Sequence, residues 1–287
     1  MSPRPVRQLE QVMGTVITID IYPSPAGDAR PDTPGSACGD ALAAGARAGD
    51  LHADILGHLA RARVVLQQAD AVFSTWLPDS PVSRLRRGEI TVAAAPPEVA
   101  AVMSACATAR QLSGGWFDPW AMPGGFDPTG YVKGWAAQRA LDALDGVAMS
   151  GALVNAAGDI ASTGVQPSGE PFRIGIADPA DPQRLAEVIE LTGCIATSGT
   201  YQRGSHLIDP WSGEPAARVA SASVTGPDLG LADALATGLA VAGSAGLALI
   251  EPLPGYEAFV IGHDGGRQWT GAFPFAPRNV AGPARAR

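Results

Sequence analysis

An α+β fold is the class this 287-residue sequence predicts, and three observations carry the prediction. Helical periodicity dominates the first half after one opening strand. Short β-type runs dominate the second half. No regular strand–helix–strand repeat, which a doubly wound parallel sheet requires, can be traced. In the opening strand, residues 12–21, Ile17, Ile19 and Ile21 share one face while Thr18 and Asp20 share the other, the period of a half-buried strand. Residues 23–50 are rich in Pro, Gly and Ala and read as a flexible surface insertion. Asp50 is placed to cap a helix whose Leu51, Ile55, Leu59, Ala62, Leu66 and Ala69 line one side. Further helices are predicted over 98–112, 132–144, 231–242 and 245–249, and strands at 153–155, 172–176, 188–191, 220–224 and 258–261. Residues 1–11 and 276–287 read as tails around a single domain, 12–275.

Composition narrows the function classes. The chain is 46% hydrophobic and 17% charged, enough apolar material for a sizeable core. Its 20 Lys and Arg against 28 Asp and Glu give a formal charge of −8, which argues against a nucleic-acid partner that would need a concentrated cationic face. The 35 glycines and 25 prolines predict abundant loops whose backbone can approach a ligand closely. No apolar run reaches the roughly 18–20 residues of a membrane span, and Met1-Ser2-Pro3-Arg4-Pro5 lacks the apolar core of a secretory signal. A cytoplasmic protein without a membrane anchor is expected. Cys38, Cys106 and Cys194 are an odd number without metal-ligand spacing and read as inert.

Among candidate chemical groups, Asp233 and Thr237 stand four residues apart in Leu231-Ala232-Asp233-Ala234-Leu235-Ala236-Thr237. On a helix they project from one face near its N-terminus as an oxygen-only half-site suited to Mg²⁺. The open alternative is structural: Asp233 stabilises the helix start and Thr237 bonds back to a carbonyl. Gly124-Gly125-Phe126-Asp127-Pro128-Thr129-Gly130-Tyr131-Val132-Lys133 offers close backbone approach, a carboxylate for sugar or base edges and a cation for phosphate, or is simply a helix-start turn. Ser198, His206 and Asp209 could be read as a nucleophilic triad, but no G-x-S-x-G elbow supports it. His206 as an acid/base or orienting group is the better reading, with a structural hydrogen bond as its equal competitor.

Taken in order, Met13-Gly14-Thr15, Phe73-Ser74-Thr75-Trp76 with Asp79 to Arg84, Phe126 to Gly130 leading to Lys133, Asn155-Ala156-Ala157-Gly158-Asp159, Thr197-Ser198-Gly199, His206-Leu207-Ile208-Asp209-Pro210 and Ala232 to Thr237 resemble the ApbE family of FAD:protein FMN transferases. The resemblance spans about residues 12–262. It implies two closely packed lobes with FAD between them, and Mg²⁺-dependent transfer of FMN to a Thr or Ser hydroxyl of an acceptor flavoprotein with release of AMP. It assigns Asp233, Thr237 and the Gly130 carbonyl to the metal. Met13, Trp76, Trp116, Phe117, Asp118, Asp127, Lys133, His206 and Ile208 are assigned to FAD, with His206 also nominated as the general base. The sequence departs from the family pattern at Ala157, where a glycine is common, at Trp76, often a tyrosine, and at Ala236, often a carboxylate. Hydrolysis of FAD to FMN and AMP, and FAD binding without catalysis, are the alternatives.

Overall fold

The computed structural model describes residues 4–24, 37–199 and 207–277. Eight strands form one antiparallel sheet in the order β1-β2-β3-β4-β7-β8-β9-β10: β1 Val6–Val12, β2 Thr15–Pro23, β3 Met149–Ala156, β4 Asp159–Gly164, β7 Cys194–Gly199, β8 Ser221–Gly226, β9 Glu257–Ile261 and β10 Arg267–Trp269. Strands β5 Phe172–Asp178 and β6 Asp181–Leu191 make a separate two-stranded ribbon. The helices are α1 Ala37–Phe73, α2 Pro81–Arg86, α3 Pro97–Leu112, α4 Thr129–Asp142, α5 Leu229–Ala242 and α6 Leu247–Ile250. The α+β expectation holds, with α1 to α4 inserted between the neighbouring strands β2 and β3. Among the described residues no helix is long and apolar enough to cross a membrane.

Several local expectations are corrected. The stretch 1–11 is not all tail, because β1 pairs with β2 from Val6↔Ile21 to Val12↔Thr15. Its side chains alternate polar and apolar too weakly to mark a strand unaided; pairing across a two-residue hairpin supplies the missing stabilisation. Helix α1 starts at Ala37, so Asp50 lies inside it rather than capping it. Ala-rich sequence there favours helix, which the reading by Pro and Gly content had passed over.

Ile17, Ile19 and Ile21 are fully buried, as alternation required, and Ile55, Leu59, Ala62 and Leu66 of α1 pack in the same core. Helix α5 is apolar around nearly its whole circumference and buried from Leu229 to Ala242 except at Leu231 and Thr237. A helix apolar on all sides belongs inside a protein. Its partner α4 approaches very closely at Gly134, where an added Cβ would overlap the Leu229 carbonyl oxygen and stand 3.0 Å from the Asp233 Cβ. Gly230 likewise admits the Tyr131 ring, whose carbon Cζ would stand 2.9 Å from an added Cβ.

Two non-glycine residues adopt left-handed backbone, Met13 (φ 55°) and Ala157 (φ 54°), each first in a two-residue hairpin completed by Gly14 or Gly158. Such a conformation costs an alanine roughly 1–2 kcal/mol, while glycine's extra unfolded freedom costs roughly 0.5–1 kcal/mol. Ala157→Gly is therefore expected to raise stability by roughly 0.5–1 kcal/mol, seen as a higher urea midpoint at unchanged slope.

Burial pushes the Cys106 and Cys194 thiols up to about 12 from 9.0. At Cys194 the Asp228 charge adds to burial. The raised thiols fit the inert reading of these two cysteines. The sign of the linkage follows: the folded chain keeps protons that the unfolded chain releases, so this stability is whole below pH 9 and is lost as pH rises toward 12. Thermal scans from pH 8 to 11 should show the melting temperature falling above pH 9, and falling less in Cys194→Ala.

Candidate active site

A cavity of about 680 Å³ opens among the Met13-Gly14 hairpin, the end of α1, the 116–122 loop, the start of α4, the end of β7 and one face of α5. Its size lies within the range of small-molecule and cofactor sites. Of the residues assigned by sequence, Met13, Trp76, Trp116, Phe117, Asp118, Asp127, Gly130, Lys133, Ile208, Asp233 and Thr237 all border it. His206 lies outside the described residues.

The polar core of the site comes from α5. In Leu229–Ala242 the only polar side chains are Asp233 and Thr237. Asp233 is 3% exposed, and its Oδ2 accepts a hydrogen bond from the Gly134 amide at 3.1 Å. Thr237 Oγ1 lies 3.2 Å from Ser198 Oγ at the end of β7 and 3.3 Å from where a Cβ on Gly130 would be. A carboxylate, two hydroxyls and the backbone of Gly130 thus gather between two helices and a strand. One detail differs from expectation: Asp228 caps α5 by accepting from the Leu231 amide at 2.7 Å, so Asp233 sits one turn inside the helix. The first turn of α4, with Thr129 and Gly130, borders the cavity instead.

Lys133 projects from α4 and forms an ion pair with Asp159, which is wholly buried after the β3–β4 hairpin. The other Asp159 oxygen accepts from the Thr197 amide at 3.0 Å, continuing the β4–β7 ladder beyond its last backbone pair. Asp159 therefore ties the lysine to β7. Asp127 is held by Arg86, whose guanidinium also donates to the carbonyls of Pro123 (2.5 Å) and Gly124 (3.2 Å) while reaching Asp127 Oδ2 at 3.2 Å. Its Oδ1 accepts from the Thr129 amide at 3.0 Å. Asp118 receives Arg110 at 2.6 Å and the Trp120 amide at 3.0 Å. These arginine partners and the role of Asp159 escape sequence reading because they join segments 8 to 41 residues apart.

Aromatic groups frame the opening. Trp76 is 91% exposed at one edge. Trp116 packs edge-on against Trp211 at 4.3 Å and under the Arg218 guanidinium at 4.7 Å. The Tyr131 phenol is pushed up by burial first and by Asp228 second, so it stays protonated at neutral pH and is excluded as a base. Among the described residues no three His, Cys, Asp or Glu side chains converge.

A model of the ApbE family matches residues 13–125 and 122–260, nearly the whole described fold. The chain belongs to the ApbE family. Among solved ApbE structures, the flavin transferase from Vibrio cholerae superposes with a TM-score of 0.73 at 22% identity, covering 94% of this chain and 99% of that one. The apo flavinyl transferase ApbE from Pseudomonas stutzeri gives 0.70 at 24% identity, covering 94% and 95%. At these identities the likeness concerns the fold. Curated relatives named FAD:protein FMN transferase include those of Vibrio cholerae, 37% identical over 132 residues, and Treponema pallidum, 33% identical over 150. The matched segments cover 42% and 45% of this chain and about two fifths of each relative, 40% and 41%.

Proposed function

We propose that this ApbE family member is an Mg²⁺-dependent FAD:protein FMN transferase, moving FMN from FAD to a Thr or Ser hydroxyl of an acceptor flavoprotein and releasing AMP. The observation that carries the reading is buried Asp233 with half-buried Thr237, alone as polar side chains on an otherwise apolar helix and bordering the cavity. Placing a carboxylate in an apolar helix interior carries a desolvation cost, which a bound cation would offset.

The donors fit a hard cation. Asp233, Thr237 and the Gly130 carbonyl offer oxygen alone; among the described residues bordering the cavity, Asp118 and Asp127 are paired with Arg110 and Arg86, and Lys133 with Asp159. A pyrophosphate beside the Asp233 carboxylate is repelled by it, and added positive charge offsets that repulsion. When bound, Mg²⁺ supplies it, neutralising the phosphate oxygens as the diphosphate bond breaks.

The chain's residues supply the remainder. Asp127, fixed by Arg86, binds a sugar or base edge, and Lys133, anchored by Asp159 at the border of the cavity, contributes its positive charge toward phosphate. Met13, Trp76 and the Trp116–Asp118 segment provide apolar and aromatic surface for the flat rings. No protein nucleophile is needed, because the acceptor hydroxyl attacks in line with AMP as the leaving group. His206 is the nominated proton acceptor.

Chromatography of reaction mixtures containing FAD, Mg²⁺ and an acceptor flavoprotein domain tests this reading. Transfer yields AMP without an equal amount of free FMN; equal amounts of both would mean hydrolysis instead.

A further inference from the structure

Among the described residues, Ser198 places beside Thr237 a hydroxyl that neither the FAD contacts nor the three expected metal ligands absorb. It lies one residue before the end of β7, where it pairs with Ala222 of β8, and its hydroxyl reaches Thr237 of α5. The strand end is held on both sides of that position. The Thr197 amide donates to buried Asp159, Thr197 Oγ1 lies 2.8 Å from Ser223 Oγ, and Gly199 pairs with Ser221. Ser198 is thus placed by its neighbours, not by its own hydrogen bond.

We infer that Ser198 is a fourth protein ligand of the cation site, giving this chain an oxygen that Ala236 does not provide. The inference rests on the metal-dependent reading above. Mg²⁺ binds six oxygens at about 2.0–2.1 Å in near-ideal octahedral geometry, so two adjacent ligands stand about 2.9 Å apart. Ser198 Oγ and Thr237 Oγ1 are 3.2 Å apart, within a few tenths of an ångström of that bite. Both hydroxyls border the cavity with Asp233. Each hydroxyl oxygen has two lone pairs, so the hydrogen bond between them leaves a lone pair for a cation. Asp233, Thr237, the Gly130 carbonyl and Ser198 then leave two positions for phosphate oxygens or water.

Ligation is separable from a merely structural hydrogen bond by changing the donor's softness. Binding of Mn²⁺ and of Cd²⁺ to the full chain, with and without saturating FAD, would be measured by the electron paramagnetic resonance of free Mn²⁺ and by competition. Ser198→Ala is expected to weaken Mn²⁺ about 10-fold, the low end for groups that hold a metal site. Ser198→Cys is expected to shift preference toward thiophilic Cd²⁺ at least about 10-fold over wild type, as a direct thiolate ligand does. Ser223→Ala, which removes the neighbouring hydroxyl pair, should leave Mn²⁺ affinity unchanged. Wild-type affinity in Ser198→Ala, equal weakening in Ser223→Ala, or no metal preference shift in Ser198→Cys would each overturn the assignment while Asp233→Ala still abolished binding. If wild type bound no Mn²⁺, or Asp233→Ala bound it normally, the metal-dependent reading would itself fail and Ser198 with it.

Discussion

Asp233→Asn is expected to lower FMN transfer about 10²–10³-fold while leaving the melting temperature within a degree or two of wild type. The asparagine oxygen still accepts from the Gly134 amide, so the contact between α4 and α5 survives. What disappears is one negative charge at the site proposed to hold a divalent cation against a pyrophosphate. Loss of a preorganised electrostatic contact at a reacting phosphate belongs in that range. Asp233→Ala should lose as much activity and also some stability, because it removes the hydrogen bond from the Gly134 amide to a carboxylate that ties α4 to α5, a cost of about 1.5–3 kcal/mol. Part of that cost is offset because a desolvated carboxylate is removed as well. Activity assayed across a Mg²⁺ titration, beside thermal melts of both variants, separates the two effects. Wild-type transfer by Asp233→Asn at limiting Mg²⁺ would remove Asp233 from the site.

Gly134→Ala should be strongly destabilising despite its small size. Helix propensity alone predicts the opposite, since alanine in a helix interior is favoured over glycine by about 1 kcal/mol. Sterics decide the sign here. The new methyl would overlap the Leu229 carbonyl oxygen, with the carbonyl carbon 2.9 Å away, and both obstacles are backbone that cannot rotate aside. Overpacking of this kind costs about 1–3 kcal/mol, and separating α4 from α5 also loosens the contacts of the buried helix. A net loss of about 2 kcal/mol corresponds to a melting temperature lower by roughly 4–8 °C in a chain of this size. The same displacement moves Gly130 of α4 relative to Thr237 of α5, so metal affinity should fall together with stability. A stabilised Gly134→Ala protein would show that the helices are free to separate at this crossing.

How much of this was legible in the sequence depends on the range of the interactions concerned. Helix α5 could be read because its apolar residues recur locally and its two polar residues stand one turn apart. Strand β2 was legible for the same reason, through Ile17, Ile19 and Ile21. Strand β1 was not, because Val6 to Val12 becomes a strand by pairing with β2. The start of α1 was misplaced because Pro and Gly upstream outweighed an Ala-rich run in the reading, although alanine is the strongest helix former.

At the site, the order of short motifs collected most of the lining residues without saying what they touch. Lys133 reads as a free cation in sequence; its partner Asp159 is 26 residues away and joins it only through the packing of α4 on β4. Arg86 carries no signal marking it as the clamp on Asp127, 41 residues onward. Ser198 was noticed for a nucleophile's role, and its position opposite Thr237 depends on β7 packing against α5, which no local pattern encodes.

The central claim is that this cavity transfers FMN to protein. Its most direct test is the intact mass of an acceptor flavoprotein domain bearing a target Thr, after incubation with this protein, FAD and Mg²⁺, beside a chelator control. The account predicts a metal-dependent gain of one FMN moiety that vanishes when the target Thr is replaced by alanine. An acceptor that keeps its original mass while FAD is converted to free FMN and AMP would contradict it.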